Sequence, residues 1–416
     1  MNLPAIHQVD QDRLRWELDD LGSISSEASP VVTRVVFTEA DLRARAFLKS
    51  LCKEAGLEIR ADAVGNTFAR WQGSEPEAAA VGTGSHIDAI PNAGRFDGTV
   101  GVLGGLEAIR SLQRAGFKPH RPVELLIFTS EEPTRFGVGC LGSRLLAGAL
   151  PASVDESLRD GEGKTLHEVR TQAGFAGGLS SVSLAPGYYS AFVELHIEQG
   201  PQLEQRGIDV GVVTAIAAPA SFRLVIEGEG GHAGAVLMPQ RRDAFLAAAE
   251  IALAIESAAR ATGAEDTVAT TGVCQVFPGA INSIPSRVRL EVDVRDIDGT
   301  RRDHVLRRIE EETKAIATRR NVSVRSEPIN ADPPAQCSPA IVEALVAACH
   351  AHGVSHQRMI SRAYHDSLFL SRIAPTAMLF IPCRGGVSHR PDEYSSPEAI
   401  AKGTLVLAET IMCLAM

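Results

Sequence analysis

The reading of the fold turns on three consecutive stretches: AAAVGTGSHID over residues 78–88, DGTVGVLGGLEAIRSLQRAGF over 97–117, and PVELLIFTSEE over 122–132. The first and third are short apolar runs ending in His, Ser or acidic residues, the pattern of buried strands. The middle stretch has helical spacing, and its Gly-rich start permits close backbone packing. Strand, helix, strand in that order predicts an α/β sheet. Sites in such sheets lie outside the carboxyl ends of the strands. His86, Asp88, Glu131 and Glu132 fall at those ends, and Asp97 stands just before the helix.

Two further pieces extend the set downstream. His196 closes the apolar run AFVELHIEQG, and His389 sits in GGVSHRPDEYS, a Gly-rich loop after the run APTAMLFIPC. Taken singly, each has a mundane reading: His-x-Asp is commonly a capping pair, adjacent glutamates before Pro133 a solvated turn, and His196 a core histidine. Together they supply the imidazoles and carboxylates of a hydrolytic metal site. Adjacent glutamates point in different directions, so one can bind metal while the other handles a proton. Other templates fail. The chain has no H-E-x-x-H and no G-x-S-x-G. DGEGKT has Leu158 where a phosphate loop needs its first Gly, and EGEGGHAG has Ala233 at the third Gly of a dinucleotide fingerprint. Both read as turns.

Upstream, the pattern from Leu14 to about Leu57 is helical, with Gly56 as a stop, and EIRADAVGNTFARW reads as a strand. Downstream, residues 213–329 give strand (SFRLVIEGEG), Ala-rich helix, strands (TVATTGVCQVFP, SRVRLEVDVRDID), helix and strand (NVSVRSEPI). That β-α-β-β-α-β order predicts a ferredoxin-like insert. Residues 1–212 and 330–416 then form a catalytic domain, as expected of 416 residues when cores stop growing at about 250 to 300.

Composition narrows the partners. A net charge of -10 and the lack of a basic run with interleaved aromatics disfavour nucleic acid. An anionic substrate would then need a local arginine, for which Arg295 is suited. Seven cysteines without C-x-x-C spacing argue for reduced thiols rather than a disulfide framework. MNLPAIHQVDQDRL lacks the apolar run of a signal sequence, and no stretch approaches the ~18 apolar residues of a membrane span. A cytoplasmic location is the expectation.

The segments GSHIDAIP, FTSEEPTRFG, CLGSRLLAG, ELHIEQGP, GVVTAIAAPAS, GGHAGAVLMP, PGAINSIPS, RAYHDSLF and HRPDEYSSPE resemble the amidohydrolase/carbamoylase branch of the M20 peptidase family. The resemblance covers nearly the whole chain. It implies an α/β catalytic domain with a mixed sheet flanked by helices, plus an inserted ferredoxin-like α+β lid and dimerisation domain. It implies two metal ions, manganese before zinc, one held by His86, Asp97 and His196 and the other by Asp97, Glu132 and His389. Asp88 would orient His86. A metal-bridging hydroxide would attack a ureido carbonyl, with Glu131 as general base and His232, supplied across a homodimer, stabilising the oxyanion. Gln199, His232, Asn282, Arg295, Tyr364 and His365 would line the substrate pocket. The implied reaction is hydrolysis of the ureido C–N bond of (S)-ureidoglycolate in purine catabolism, releasing ammonia and CO2 and giving hydroxyglycine and glyoxylate. Allantoate and N-carbamoyl-L-amino acids are the sibling substrates, but those relatives have Gly before the His-Asp pair where this chain has Tyr364. A dinuclear exopeptidase and an inactive scaffold are the more distant alternatives.

Overall fold

The computed structural model describes residues 9–416. The reading of the first residues as lacking a signal sequence falls mostly outside that range. The chain forms two compact units: one holds the chain up to Thr214, Cys337–Ser361 and His365–Met416, the other Ala215–Gln336 and Arg362–Tyr364. The division falls at Thr214 and Gln336, where the sequence pattern put it at 212 and 329. The strand Ser323–Ala331 carries the second unit past Ile329. Sequence pattern gave no sign that residues 362–364 group with that unit.

The first unit is built on a mixed sheet in the order Val210–Ile216, Thr376–Ile381, Tyr189–Ile197, Ala80–His86, Val123–Phe128, Thr67–Trp71, Glu58–Ala61. The strands Thr376–Ile381, Tyr189–Ile197, Ala80–His86 and Val123–Phe128 run parallel, so their carboxyl ends share one edge. Ala80–His86 and Val123–Phe128 are buried throughout, which is why they read as largely apolar runs although Thr83, Ser85 and Glu124 lie within them. EIRADAVGNTFARW is two strands rather than one: Glu58–Ala61 and Thr67–Trp71 pair antiparallel. Asp62 turns the chain between them by accepting from the backbone N–H groups of Val64, Gly65 and Asn66.

The Thr99–Arg114 helix lies against the sheet with nearly every side chain buried. Close contact requires Gly101, where a Cβ would stand 2.3 Å from the carbonyl oxygen of Leu195. The helical pattern expected over residues 14–57 resolves into two helices, Gln11–Ser23 and Glu39–Glu54, with a short strand Val32–Arg34 between them. That strand pairs with Ala89–Ala93. Arg34, fully buried, donates to the carbonyls of Ile87, Leu21 and Ile24, each at 2.7 Å. An amphipathic count cannot see this interruption, because the strand and its flanks keep apolar residues at compatible intervals.

The second unit has a four-stranded antiparallel sheet in the order Val268–Phe277, Arg287–Asp296, Ala218–Glu227, Ser323–Ala331. Helices Ala244–Arg260 and Gly299–Arg320 cover one face, and a single apolar core forms between them and the sheet. This is the ferredoxin-like connectivity read from the sequence. Asp243 and Asp298 cap the two helices through backbone N–H groups of the first turn.

Candidate metal centre

In the first unit the strand ends bring His86, Asp97, Glu132, His196 and His389 together. His196 Nε2 lies 3.1 Å from Asp97 Oδ1 and His86 Nε2 3.6 Å from the same oxygen. His389 Nε2 lies 3.1 Å from Asp97 Oδ2 and 3.2 Å from Glu132 Oε1. Donor atoms thus form two groups, His86–Asp97–His196 and Asp97–Glu132–His389, joined through Asp97. Four of the five residues are buried, whereas the His389 side chain is 46% exposed. The site therefore has one side open to solvent.

Backbone carbonyls set the imidazole orientations. His196 Nδ1 is 2.9 Å from the carbonyl of Ile197, and His86 Nδ1 is 3.0 Å from the carbonyl of Asp88. With the proton on Nδ1, the tautomer a metal ion would require, each Nε2 would offer its lone pair on the side of Asp97. Asp88 thus meets His86 chiefly through its backbone oxygen, with its carboxylate Oδ1 farther off at 3.8 Å from His86 Nδ1. The carboxylate accepts the backbone N–H of Glu131 at 3.1 Å and of Glu132 at 3.0 Å. Two residues after a strand end, Asp88 faces the neighbouring strand's loop and fixes both glutamates.

Asp97 is itself held in place. Glu393 Oε1 accepts from the N–H groups of Phe96 and Asp97, and Ser388 Oγ bridges Asp97 Oδ2 and Glu393 Oε2 at 2.9 Å each. Gln199 Nε2 donates to the same Asp97 oxygen at 2.8 Å, so this residue, expected in the substrate pocket, faces the shared carboxylate. Its own Oε1 is buried without a partner. Gly98 follows in a tight turn, with Thr99 N–H donating to Asp97 C=O at 2.7 Å and φ +66. A Cβ at Gly98 would lie 2.5 Å from His86 Nε2. Sequence reasoning passed over Ser388, Glu393 and Gly98, although SHRPDE holds the first two within five residues of each other around His389.

The electrostatics match a site made for cations. Burial pushes the Asp97 carboxyl up, but hydrogen bonds from His196, His389 and His86 outweigh it and hold the group well below the usual range. Hydrogen bonds to Asp97 and Glu132 push His389 up to about 10. Burial lowers His86, yet Asp97, Glu131 and Asp88 raise it well above the ordinary value. Imidazoles drawn toward protonation in a buried carboxylate cluster mark a surplus of negative charge that a divalent ion would neutralise. The donor set, nitrogen and carboxylate oxygen with no thiolate among the five, fits such an ion. Glu131 stands alongside, 3.9 Å from His86 Nε2, with its carboxyl raised by burial and by Glu132, Asp366 and Asp97.

His365 also belongs to this unit, its ring T-shaped against His196 at 4.6 Å and its Nε2 buried without a partner. The remaining expected substrate contacts lie in the second unit. His232 ends the short strand Gly231–His232, which pairs with Ser283–Ile284 next to the turn holding Asn282, and Ala233 N–H donates to the Asn282 carbonyl at 2.9 Å. Arg295 grips Asp293 at 2.8 Å through Nε and donates through Nη1 to the Arg362 carbonyl at 3.0 Å. Tyr364 donates its hydroxyl to Asp332.

An α/β sheet carrying paired imidazole–carboxylate groups at its strand ends defines a metal-dependent hydrolase. The chain belongs to peptidase family M20/M25/M40, whose model matches residues 82–412. It is 52% identical to a ureidoglycolate hydrolase of Arabidopsis thaliana, over 100% of this chain and 89% of that protein. It is 41% identical to an N-carbamoyl-L-amino acid amidohydrolase of Geobacillus stearothermophilus, over 98% of this chain and 99% of that one. A crystal structure of AtUAH in complex with (S)-hydroxyglycine matches with a TM-score of 0.87 and 52% identity, covering 100% of both chains.

Proposed function

We propose that this protein is a ureidoglycolate amidohydrolase, which cleaves the terminal ureido C–N bond of (S)-ureidoglycolate. The chemistry rests on one observation: Asp97 presents its two oxygens to two separate ligand groups while Glu131 stands beside them. The choice of substrate follows the likeness to the Arabidopsis hydrolase and to a structure holding (S)-hydroxyglycine. His86, Asp97 and His196 would hold one divalent ion and Asp97, Glu132 and His389 a second, with manganese the expected metal. When bound, such ions lower the pKa of water and polarise a carbonyl oxygen.

The side chains supply the rest. Glu131 takes the proton from the attacking water and returns it to the departing nitrogen, which leaves as ammonia. The new C–O bond makes a carbamate, which loses CO2 to give hydroxyglycine, and hydroxyglycine then releases a second ammonia to give glyoxylate. His232 would stabilise the developing oxyanion from the partner subunit of a homodimer, with the second unit acting as lid. Arg295 would hold the substrate carboxylate, releasing part of its grip on Asp293. Asn282, His365, Tyr364 and Gln199 would complete the pocket. Seven free cysteines suit a reducing compartment, which supports a cytoplasmic site of action.

The test is ammonia release by the manganese-loaded protein offered ureidoglycolate, allantoate, an N-carbamoyl-L-amino acid and a dipeptide in parallel. Turnover of ureidoglycolate alone, abolished in Glu131→Gln, is the expected result. Preference for an N-carbamoyl amino acid or allantoate would reassign the substrate and keep the chemistry. Silence on all four would overturn the reading.

A further inference from the structure

Glu131 is held at three points, and two of them come from one residue. Asp88 accepts its backbone N–H at 3.1 Å, and the backbone N–H of Cys140 donates to its carbonyl at 2.7 Å. The Cys140 thiol then lies 3.4 Å from Glu131 Oε1, within range of an S–H donor. Cys140 is completely buried, so its thiol has no solvent to turn toward.

The backbone is shaped for this contact. Residues 129–131 and 140–142 face each other, with Leu141 N–H on the Ser130 carbonyl and Gly142 N–H on the Thr129 carbonyl, both at 2.8 Å. Cys140 takes φ +54 and ψ +37 at the start of the short Leu141–Leu146 helix, and Ser130 takes φ +56. Left-handed backbone at two non-glycine residues flanking one carboxylate costs about 1–3 kcal/mol each and persists only where the surroundings enforce it. Here it turns the thiol toward Glu131. From these contacts we infer that Cys140 is a positioning residue for the reaction: its S–H fixes Glu131 Oε1 and leaves Oε2, the oxygen 3.9 Å from His86 Nε2, to exchange the proton.

A thiol suits the task. Burial and the adjacent Glu131 and Asp366 push it well above its ordinary pKa, so it stays a neutral donor. Its weak hydrogen bond restrains the carboxylate without neutralising its basicity, as a lysine or arginine would. A carboxylate freed from that restraint would sample rotamers in which neither oxygen faces the attacking water.

This inference rests on Glu131 acting as the base, so the experiment separates the two. Manganese-loaded wild type, Cys140→Ala, Cys140→Ser and Glu131→Gln are compared for kcat and KM with ureidoglycolate, and for melting temperature. The expected result is a roughly tenfold lower kcat in Cys140→Ala, with KM within twofold and with most of the loss recovered in Cys140→Ser. An inactive Glu131→Gln beside a Cys140→Ala with wild-type kcat would overturn the role of Cys140 and leave the base assignment standing. An active Glu131→Gln would overturn both. Equal losses in the alanine and serine variants, or a change in KM alone, would reduce Cys140 to packing and overturn the inference.

Discussion

Gly98→Ala should disable the site while leaving the protein folded. Gly98 has φ +66 and ψ −43, at the centre of the tight turn that follows Asp97. A side chain in such sparsely populated backbone costs about 1–3 kcal/mol. The larger effect is steric, because the new methyl would lie 2.5–2.6 Å from Nε2, Cδ2 and Cε1 of His86. Ordinary contact needs roughly 3.4 Å or more, so the ring must retreat by about 1 Å, and a displacement of that size at a reacting centre costs about 100-fold in rate. Against a total stability of about 5–15 kcal/mol, the strain alone does not unfold the chain. The control is Gly116→Ala, at φ +75 with nothing within 4 Å, which imposes backbone strain without a clash. Both variants should lose a few degrees of melting temperature, while only Gly98→Ala loses kcat/KM by about 100-fold and binds manganese more weakly by calorimetry. Activity within threefold of wild type in Gly98→Ala, at unchanged manganese affinity, would refute the placement of His86 as a ligand.

Chelation followed by dialysis should abolish ammonia release, and added manganese should restore it; full activity in demonstrably metal-free protein would contradict the ligand assignment. Arg295→Lys should raise KM for ureidoglycolate about tenfold or more, since an ammonium cannot reproduce the bidentate grip, while leaving the melting temperature within about 2 °C. Asp155→Asn should cost about 1–3 kcal/mol, because the carboxylate accepts from the buried Arg170 at 2.7 and 2.6 Å through its two oxygens and an asparagine keeps one acceptor and no charge. Burial raises the Asp155 carboxyl, but hydrogen bonds from Arg170 and His167 outweigh it and place the folded-state pKa below the ordinary value. That contribution is therefore present above about pH 4 and fades as the pH falls through the folded-state pKa. Urea titrations of wild type and Asp155→Asn at pH 7 and pH 3 should show the gap narrowing at the lower pH, and a constant gap would exclude Asp155 as its source.

The strand ends were legible in the sequence because two signals coincide there. A fully buried parallel strand is a largely apolar run, so imidazoles and carboxylates at or just beyond its carboxyl end stand out. His86 ends its strand, His196 stands one residue before the end of its own and Glu131 comes three residues after Phe128, so both their place and their chemistry can be read without knowing a single distance. The ferredoxin-like unit was legible for a related reason: alternating strand patterns such as RVRLEVDVRD over Arg287–Asp296 and an Ala-rich helix differ in period, and their order leaves few ways to pair.

Geometry set by main-chain direction was out of reach. Whether Asp88 meets His86 through its carboxylate or its carbonyl depends on the dihedral angles of two residues, and both options read as His-x-Asp. Left-handed backbone at Ser130, Cys140, Gln199 and His389 is invisible for the same reason, since none of these is the glycine that usually announces it. Those four residues surround Glu131, Asp97 and Glu132. Sequence thus identifies groups able to bind and transfer protons, while the turns that aim them are paid for in backbone strain that only coordinates reveal. It follows that the residues most worth mutating next are not further ligands. They are the ones with positive φ whose place touches a proposed ligand or the proposed base, and Gly98 and Cys140 meet both conditions: a Cβ at Gly98 would fill the space His86 occupies, and the Cys140 thiol lies against Glu131.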